Sequence, residues 1–318
     1  MINMIVVPLD GSRLAEQALE PAHYLAHRLH AAIEVVHVFK PSVESPYASG
    51  APPIDTRLDL DLREEAVAYI DRVAEREGKA GDVRVTAKLL EGPVVETLAA
   101  HLAALDHPLV VMMTHGRSGL GRVLLGSVTD ALVRSATVPV LVIRARKQAD
   151  APVATRFGRV LVPIAGADFG TDIGERTADV FGTRDIEYVL LHAVVPAPLV
   201  PPPDPAIVPP VLDLDAEEEA ARNLLDALAD PLRARGAHVR TRVVIDVDAA
   251  HAILDAVNEA GADVISMATH GYRGVKRLVL GSVADKVLRH SPVPVLLVRP
   301  PESAELMDDE DAERAAAS

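Results

Sequence analysis

The sequence predicts an α/β fold of two tandem domains, each with a five-stranded parallel sheet flanked by helices. Three observations carry this prediction. Residues 114–144 recur at 269–299, at a fixed offset of 155 residues. Short apolar runs alternate with amphipathic helical stretches in each half, a pattern typical of parallel sheets that are covered on both faces. The length of 318 residues allows two domains of ordinary size.

The repeated stretch runs from the end of an apolar strand through a glycine-bearing loop into a helix and a further strand. Its first copy reads THGRSGLGRVLLGSVTDALVRSATVPVLVIR and its second copy THGYRGVKRLVLGSVADKVLRHSPVPVLLVR. A duplication copies structural features as well as functional ones. The repeat therefore predicts the domain organisation and leaves the role of the stretch open.

In the first half, apolar runs and helical periodicity predict strands and helices in strict alternation. The strands are predicted at Met4–Pro8, 33–39, 83–90, 109–113 and the end of the repeated stretch. The helices are predicted at 12–29, 58–77, 93–105 and after Gly126. Ser12 and Ser127 are suitable N-caps, and Pro21 is expected to bend the first helix. Residues 40–57 are rich in turn-forming residues and predict a loop.

The second half is predicted to repeat this order. Strands are expected at 159–163, 189–193, 239–245 and 264–267, and helices at 217–235 and 249–260. Eight prolines at 196–210 predict an extended loop. The predicted boundaries are a first domain at 1–146, a linker at 147–157, a second domain at 158–301 and an acidic tail at 302–318.

Composition excludes several classes of protein. The chain has no cysteine, which excludes disulfides, thiolate metal sites and cysteine nucleophiles. A formal net charge of −14 argues against nucleic acid as a partner, since phosphate backbones are held by basic patches. No apolar run reaches the roughly 18 residues of a membrane span, and no secretory signal is apparent. We therefore expect no membrane association and a cytoplasmic location.

The glycine and serine before the repeated helix suggest an anion site. The first turn of a helix carries N–H groups without helical partners and a partial positive charge, so phosphate binds there readily. A glycine such as Gly126 lets backbone and phosphate approach closely. The alternative is structural: a Gly-Ser pair before a helix is most often a turn and a cap. Neither the GxxxxGK[ST] loop nor GxGxxG is present.

The motif resembles the universal stress protein family, whose nucleotide-binding members carry G-x2-G-x9-G-[ST]. Gly116, Gly126 and Ser127 match the last three elements, whereas Met113 stands at the first glycine. Gly271, Gly281 and Ser282 match in the second half, with Ala268 at the first position. The resemblance covers almost the whole chain as two copies. It implies two Rossmann-like domains of the adenine nucleotide alpha hydrolase type, and ATP as ligand.

A second element of the site is expected across the sheet. In a 3-2-1-4-5 strand order, Asp10 follows the first strand and Gly116 the fourth, so both should face the crevice where the order reverses. A carboxylate there suits hydrogen bonds to adenine or ribose. The alternative for Asp10 is a turn residue at a helix entry. The resemblance implies that Asp10 binds the nucleoside and that Val38, after the strand-two His37, lies beside the base.

Fourteen residues in all are predicted to form the site. They are Pro8, Asp10, Val38, Met113, His115, Gly116, Arg117, Gly126, Ser127 and Val128 in the first half, and Gly271, Gly281, Ser282 and Val283 in the second. The offset places Ala165 at the Asp10 position and Ala193 at the Val38 position. The first domain is therefore predicted to be the better nucleotide site. His115 has the alternative role of orienting the loop, and Tyr272 replaces Arg117 in the second half.

Three functions remain open on this evidence. The first is an ATP-binding regulatory module of the stress-response type, with an unknown protein partner. The second is a nucleotide-free scaffold, and the third a slow ATPase, for which no catalytic base is identifiable. No protein metal site is apparent, so Mg²⁺ is expected to arrive with the phosphates. The resemblance also implies pairing of the last strands, 138–143 and 293–298, in a pseudo-dimer within the chain, with a homodimer of chains as a further possibility.

Overall fold

A computed structural model describes residues 2–41, 56–114, 125–135, 137–144, 156–166, 172–196, 213–269 and 280–299. The chain divides into two compact units, one of Met1–Arg156 with Asp179–Phe181 and the other of Phe157–Ala178 with Gly182–Ser318. No helix of the described residues is both long and apolar enough to cross a bilayer.

The first half contains five strands and five helices among the described residues. In chain order they are β1 (Met4–Pro8), α1 (Arg13–Glu16), α2 (Leu19–Leu29), β2 (Ala32–Phe39), α3 (Thr56–Ala80), β3 (Val85–Glu91), α4 (Val94–Ala103), β4 (Pro108–Met113), α5 (Ser127–Ser135) and β5 (Val140–Ile143). The strand order is β3-β2-β1-β4-β5 and each neighbouring pair is parallel. The predicted 3-2-1-4-5 order is confirmed.

The sheet of the first half is covered on both faces. All six residues of β4 are buried, and successive side chains of a strand point to opposite faces. Helices must therefore cover each side of the sheet, as the continuous apolar run at 109–113 predicted.

The second half has the same order of strands. Its elements are β6 (Arg159–Ile164), α6 (Ile173–Phe181), β7 (Glu187–Val194), α7 (Leu214–Ala234), β8 (His238–Ile245), α8 (Ala249–Ala260), β9 (Val264–Ala268), α9 (Ser282–His290) and β10 (Val295–Val298). The strands lie in the order β8-β7-β6-β9-β10 and pair in parallel. The α/β prediction of two tandem sheets is therefore confirmed in both halves.

The predicted helix at 12–29 is divided in two. The break falls at Gln17 and Ala18, where the N–H groups donate to the carbonyls three residues earlier, Leu14 and Ala15. Pro21 explains the position, because a proline ring clashes with the carbonyl four residues before it, here that of Gln17. The expected bend at Pro21 is thus a break one turn upstream.

The start of α5 differs from the prediction by one residue. Asp130 N–H donates to the Gly126 carbonyl at 2.8 Å, so Gly126 accepts the first intrahelical bond and occupies the cap position. Ser127 is the first helical residue and is exposed, and it is not the N-cap that the sequence suggested. Gly281 is likewise the cap of α9, and no side chain caps that helix.

Candidate functional site

The candidate site lies where the strand order of the first half reverses. β1 and β4 are parallel neighbours, with Val6 opposite Val110. The chain leaves β1 toward β2 on one side and leaves β4 toward β5 on the other. A crevice at the carboxyl ends of such strands is the usual ligand position in an open α/β sheet. Asp10 follows β1 and Thr114 follows β4, so the same edge of the sheet carries both loops.

Asp10 combines a local structural role with a position at this edge. The Ser12 N–H donates to Asp10 Oδ1 at 2.9 Å, and the Ala15 N–H donates to Ser12 Oγ at 3.1 Å. Asp10 therefore makes the turn that brings Ser12 to cap α1, and the Ser12 prediction is confirmed. Asp10 is half-buried. An ionised carboxylate has about four acceptor positions, so a group such as this can accept several hydrogen bonds at once.

His37 ties the ends of β1 and β2 together. Its Nδ1 donates to the Leu9 carbonyl at 2.8 Å, and the Leu9 N–H donates to the Val36 carbonyl at the same distance. A carbonyl only accepts, so Nδ1 carries the proton. The residues next in the chain are Asp10 and Val38, for which the family resemblance implies contacts with the nucleoside. These two hydrogen bonds therefore set the relative position of the two segments.

The start of α5 is anchored to the end of β4 by its backbone. The Gly126 N–H donates to the Thr114 carbonyl at 2.7 Å, and the buried Thr129 hydroxyl donates to the Met113 carbonyl at 3.1 Å. A Cβ on Gly126 would lie 2.7 Å from the Thr114 carbonyl oxygen. The close approach that requires glycine here is therefore between two backbone segments, whereas the sequence pattern suggested an approach of backbone to phosphate.

The second half repeats the backbone of this arrangement. His192 Nδ1 donates to the Ile164 carbonyl at 2.9 Å, and the Gly281 N–H donates to the Thr269 carbonyl at 2.9 Å. Several side chains differ. The offset of 155 places alanine at the positions of Asp10, Val38, Met113 and Thr129, namely Ala165, Ala193, Ala268 and Ala284. The second half thus keeps the frame and has alanine where the first half has the Asp10 carboxylate.

Some of the other predicted residues lie at strand ends, some at helix starts, and some outside the described residues. Pro8 is the last residue of β1 and Val38 lies near the end of β2, both half-buried, while Met113 ends β4 and is 5% exposed. Ser127 and Val128 begin α5, and Ser282 and Val283 begin α9. His115, Gly116, Arg117 and Gly271 lie outside the described residues.

Two residues beside the site were not identified from the sequence. Tyr69 of α3 places its ring edge-on to His37, with centroids 6.0 Å apart, and its hydroxyl donates to Glu16 Oε1 at 3.1 Å. Burial, the charge and hydrogen bond of Glu16, and the charge of Asp10 together raise the pKa of Tyr69. The phenol therefore stays neutral at physiological pH. A tyrosine on an amphipathic helix carries no local signal that would have revealed this position.

The described residues include groups suited to a nucleotide and no cluster of metal ligands. A carboxylate at one strand end and an exposed helix start at the neighbouring strand end suit a nucleoside and a phosphate chain respectively. Within the described ranges, no three His, Asp or Glu side chains are grouped so that they could hold a metal ion.

Comparison with known proteins gives the family of the chain. The model of the universal stress protein family matches twice, at residues 1–144 and 156–299. A universal stress protein of Mycolicibacterium smegmatis is 28% identical over 301 residues, which cover 93% of this chain and 97% of that protein. One of Methanocaldococcus jannaschii is 31% identical over 150 residues, 46% of this chain and 85% of its own.

A solved structure agrees with the fold. The crystal structure of a universal stress protein from Archaeoglobus fulgidus covers 95% of this chain and 97% of its own length, with a TM-score of 0.65 and 22% identity. That likeness bears on the fold alone. The two matches of the family model cover almost the whole chain, so the chain belongs to the universal stress protein family as a tandem member.

Proposed function

We propose that this chain is an ATP-binding regulatory protein of the stress response, whose first half carries the better nucleotide site. Asp10 accepts hydrogen bonds from the nucleoside, and the loop before α5 with the first turn of that helix binds the phosphates. Occupancy of the site gates binding to a protein partner. Mg²⁺ accompanies the phosphates, and hydrolysis is at most slow because no side chain of the described residues is identified as a base.

The observation that carries the proposal is that Asp10 and the start of α5 lie at the ends of adjacent strands, at the switch point. Asp10 and Thr114 follow adjacent parallel strands, and Gly126 at the start of α5 is bonded to Thr114. The acidic group and the helix start are thus at the same sheet edge although more than 100 residues separate them in the chain. Family membership supports the same function.

The alternative is a nucleotide-free scaffold of the same fold. Met113 at the first motif position and the alanines at 165 and 268 favour it. The Gly126 contact also supports it, since that glycine is explained by backbone packing without any ligand.

The two functions are separated by the content of the purified protein. We expect denaturation of the full chain to release adenine nucleotide, and titration of nucleotide-free protein to give a measurable ATP affinity that depends on Mg²⁺. A chain that releases no nucleotide and gives no binding heat with ATP and Mg²⁺ would favour the scaffold.

The Asp10 variant identifies the site. Asp10→Asn keeps an oxygen for the Ser12 N–H and removes the charge, so the turn before α1 is preserved. Loss of a charged acceptor weakens ATP binding on the order of 10- to 100-fold. Asp82→Asn, at an exposed position before β3, is the matched control and should leave the affinity unchanged. Equal affinities of the two variants would rule out Asp10 as a ligand.

The cytoplasmic location is a further part of this proposal. Fractionation of cells that express the tagged full chain would test it.

A further inference from the structure

The first half contains a polar network that reaches the candidate site from α3. Tyr69 is half-buried, donates to Glu16 Oε1 and lies edge-on to the His37 ring. Glu16 Oε2 accepts from Arg76 Nη2 at 2.8 Å. Tyr69 and Arg76 are seven residues apart, two turns of α3, so the same face of the helix presents both.

The network continues to the helix before β2. Arg76 Nε donates to Glu77 Oε1 at 2.8 Å, and His23 Nε2 lies 3.0 Å from Glu77 Oε2. The hydrogen bond from His23 and that from Arg76 lower the pKa of Glu77 against the effect of burial. Glu77 is therefore ionised at neutral pH and holds α2 against α3. The network thus ties α3, which carries Tyr69, to α1 through Glu16 and to α2 through His23.

The second half has no equivalent of Tyr69. The offset of 155 pairs the buried Ala66 and Ile70 of α3 with the buried Ala221 and Leu225 of α7. The same offset places Leu224 opposite Tyr69. The His192 bond to the strand end is nevertheless retained. The first half, which has Asp10, therefore has Tyr69 packed against His37. The second half, which has Ala165, has Leu224 at the position of Tyr69.

We propose that Tyr69 is a positioning residue for the nucleoside end of the first-half site. Its ring supports the face of His37, whose Nδ1–H holds the Leu9 carbonyl, and its hydroxyl is directed at Glu16. The strand ends that carry Asp10 and Val38 are thereby held in the arrangement that a nucleoside requires. This role rests on the proposed nucleotide function. It predicts that Tyr69 matters for the nucleoside and not for the phosphates, which bind at α5.

The test compares ligands that engage different ends of the site. Titration calorimetry on the full chain measures the affinity for ATP, adenosine and inorganic tripolyphosphate, for wild type and for Tyr69→Leu and Tyr69→Phe. Tyr69→Leu should lower the affinity for ATP and for adenosine about tenfold or more. The affinity for tripolyphosphate should stay within about twofold of wild type. Tyr69→Phe keeps the ring and should restore the affinity to within about fivefold of wild type.

One control and one further variant make the result specific. Tyr24→Phe is the control: it alters another tyrosine of the same half, whose ring lies 5.8 Å from the Arg28 guanidinium, and should change no affinity. Glu16→Gln is the further variant: it keeps an acceptor for the phenol and removes the carboxylate charge that pairs with Arg76. If Tyr69→Leu does not fold, Tyr69→Phe and Glu16→Gln carry the test, and each should weaken the binding of ATP and adenosine by about two- to fivefold while that of tripolyphosphate is unchanged.

The outcomes that would overturn the role are distinct. An equal loss of affinity for ATP and for tripolyphosphate would show a general structural effect. Unchanged ATP affinity in every Tyr69 variant would show that Tyr69 has no positioning role. Wild-type protein that binds neither ATP nor adenosine would overturn the proposed function itself, and the positioning role with it.

Discussion

At the scale of single residues, Gly126 is the position whose role the structure changed. The motif suggested a glycine that admits phosphate. The missing Cβ instead points at the Thr114 carbonyl oxygen, a fixed backbone atom that cannot rotate away. The Gly126 N–H donates to that same oxygen. A substitution here would disturb the site whether or not a ligand binds, and it is a poor probe of nucleotide binding.

Gly126→Ala should therefore destabilise the protein in the absence of ligand. A contact of 2.7 Å forces the two backbone segments apart, which costs about 1–3 kcal/mol by analogy with overpacked cores. Urea unfolding of the nucleotide-free chain would measure the change. Gly78→Ala is the control, and it should change the free energy of unfolding in the opposite direction. Gly78 lies inside α3 with nothing within 4 Å of an added Cβ, so alanine should stabilise the protein by up to about 1 kcal/mol. A Gly126→Ala variant as stable as wild type would contradict the proposed clash with the Thr114 carbonyl.

At the scale of elements, helix α3 joins the site to the rest of the first half. Tyr69, Arg76 and Glu77 all lie on this helix, and their partners belong to α1, α2 and β2. The Glu77 side chain is 15% exposed and that of His23 is 22% exposed, so the pair is shielded from solvent more than an ordinary surface ion pair. We expect this contact to contribute measurably to stability.

The contribution of Glu77 should disappear in acid. Its pKa is lowered in the folded state by the bonds from His23 and Arg76, so the folded protein binds fewer protons than the unfolded chain below about pH 5. The stabilisation is present above the unfolded pKa and is lost as pH falls through the folded pKa. Glu77→Gln should lower the free energy of unfolding by on the order of 1 kcal/mol at neutral pH. It should also make that free energy less dependent on pH between about 5 and 3.

Denaturant unfolding across that pH range is the measurement. Glu64→Gln, an exposed position on the same helix, controls for the loss of one charge. Parallel pH profiles for wild type and Glu77→Gln would show that the pair does not stabilise the fold.

At the scale of the whole molecule, the two halves share a frame and differ in chemistry. Each has a parallel sheet of the same order, a histidine bonded to the first strand end and a glycine bonded to the fourth. Asp10 and Thr129 in one half correspond to Ala165 and Ala284 in the other. The frame is what a duplication retains, and the side chains are where the halves have diverged.

The full chain should therefore bind one ATP tightly. Calorimetric titration should give a stoichiometry close to one per chain, because only the first half has a carboxylate at the nucleoside position. Asp10→Asn should abolish that tight phase. Two equivalent sites in wild type, or a tight phase that survives in Asp10→Asn, would contradict the predicted asymmetry. Pairing through the last strands and a homodimer of chains remain predictions that solution mass measurements and strand variants would test.

Much of the fold was predictable because it rests on patterns that are local in the sequence. Apolar runs such as 109–113 identify buried strands, and the offset of 155 residues identifies the tandem organisation. The errors were local as well. Pro21 acts through the carbonyl of Gln17, one turn away, and the cap of α5 is decided by which carbonyl accepts the Asp130 N–H. Sequence preference alone does not resolve a shift of one residue in a helix start.

The sequence by itself determined the family, the two tandem α/β halves and the difference at positions 10 and 165, because each is written in residue identity and spacing. Only the tertiary structure decided that Gly126 is required by the Thr114 carbonyl, that His37 holds the Leu9 carbonyl, and that Tyr69 stands behind His37. Those contacts join residues between 12 and 32 positions apart, which meet only after strands and helices have packed. Their geometry follows from packing, which no local pattern encodes.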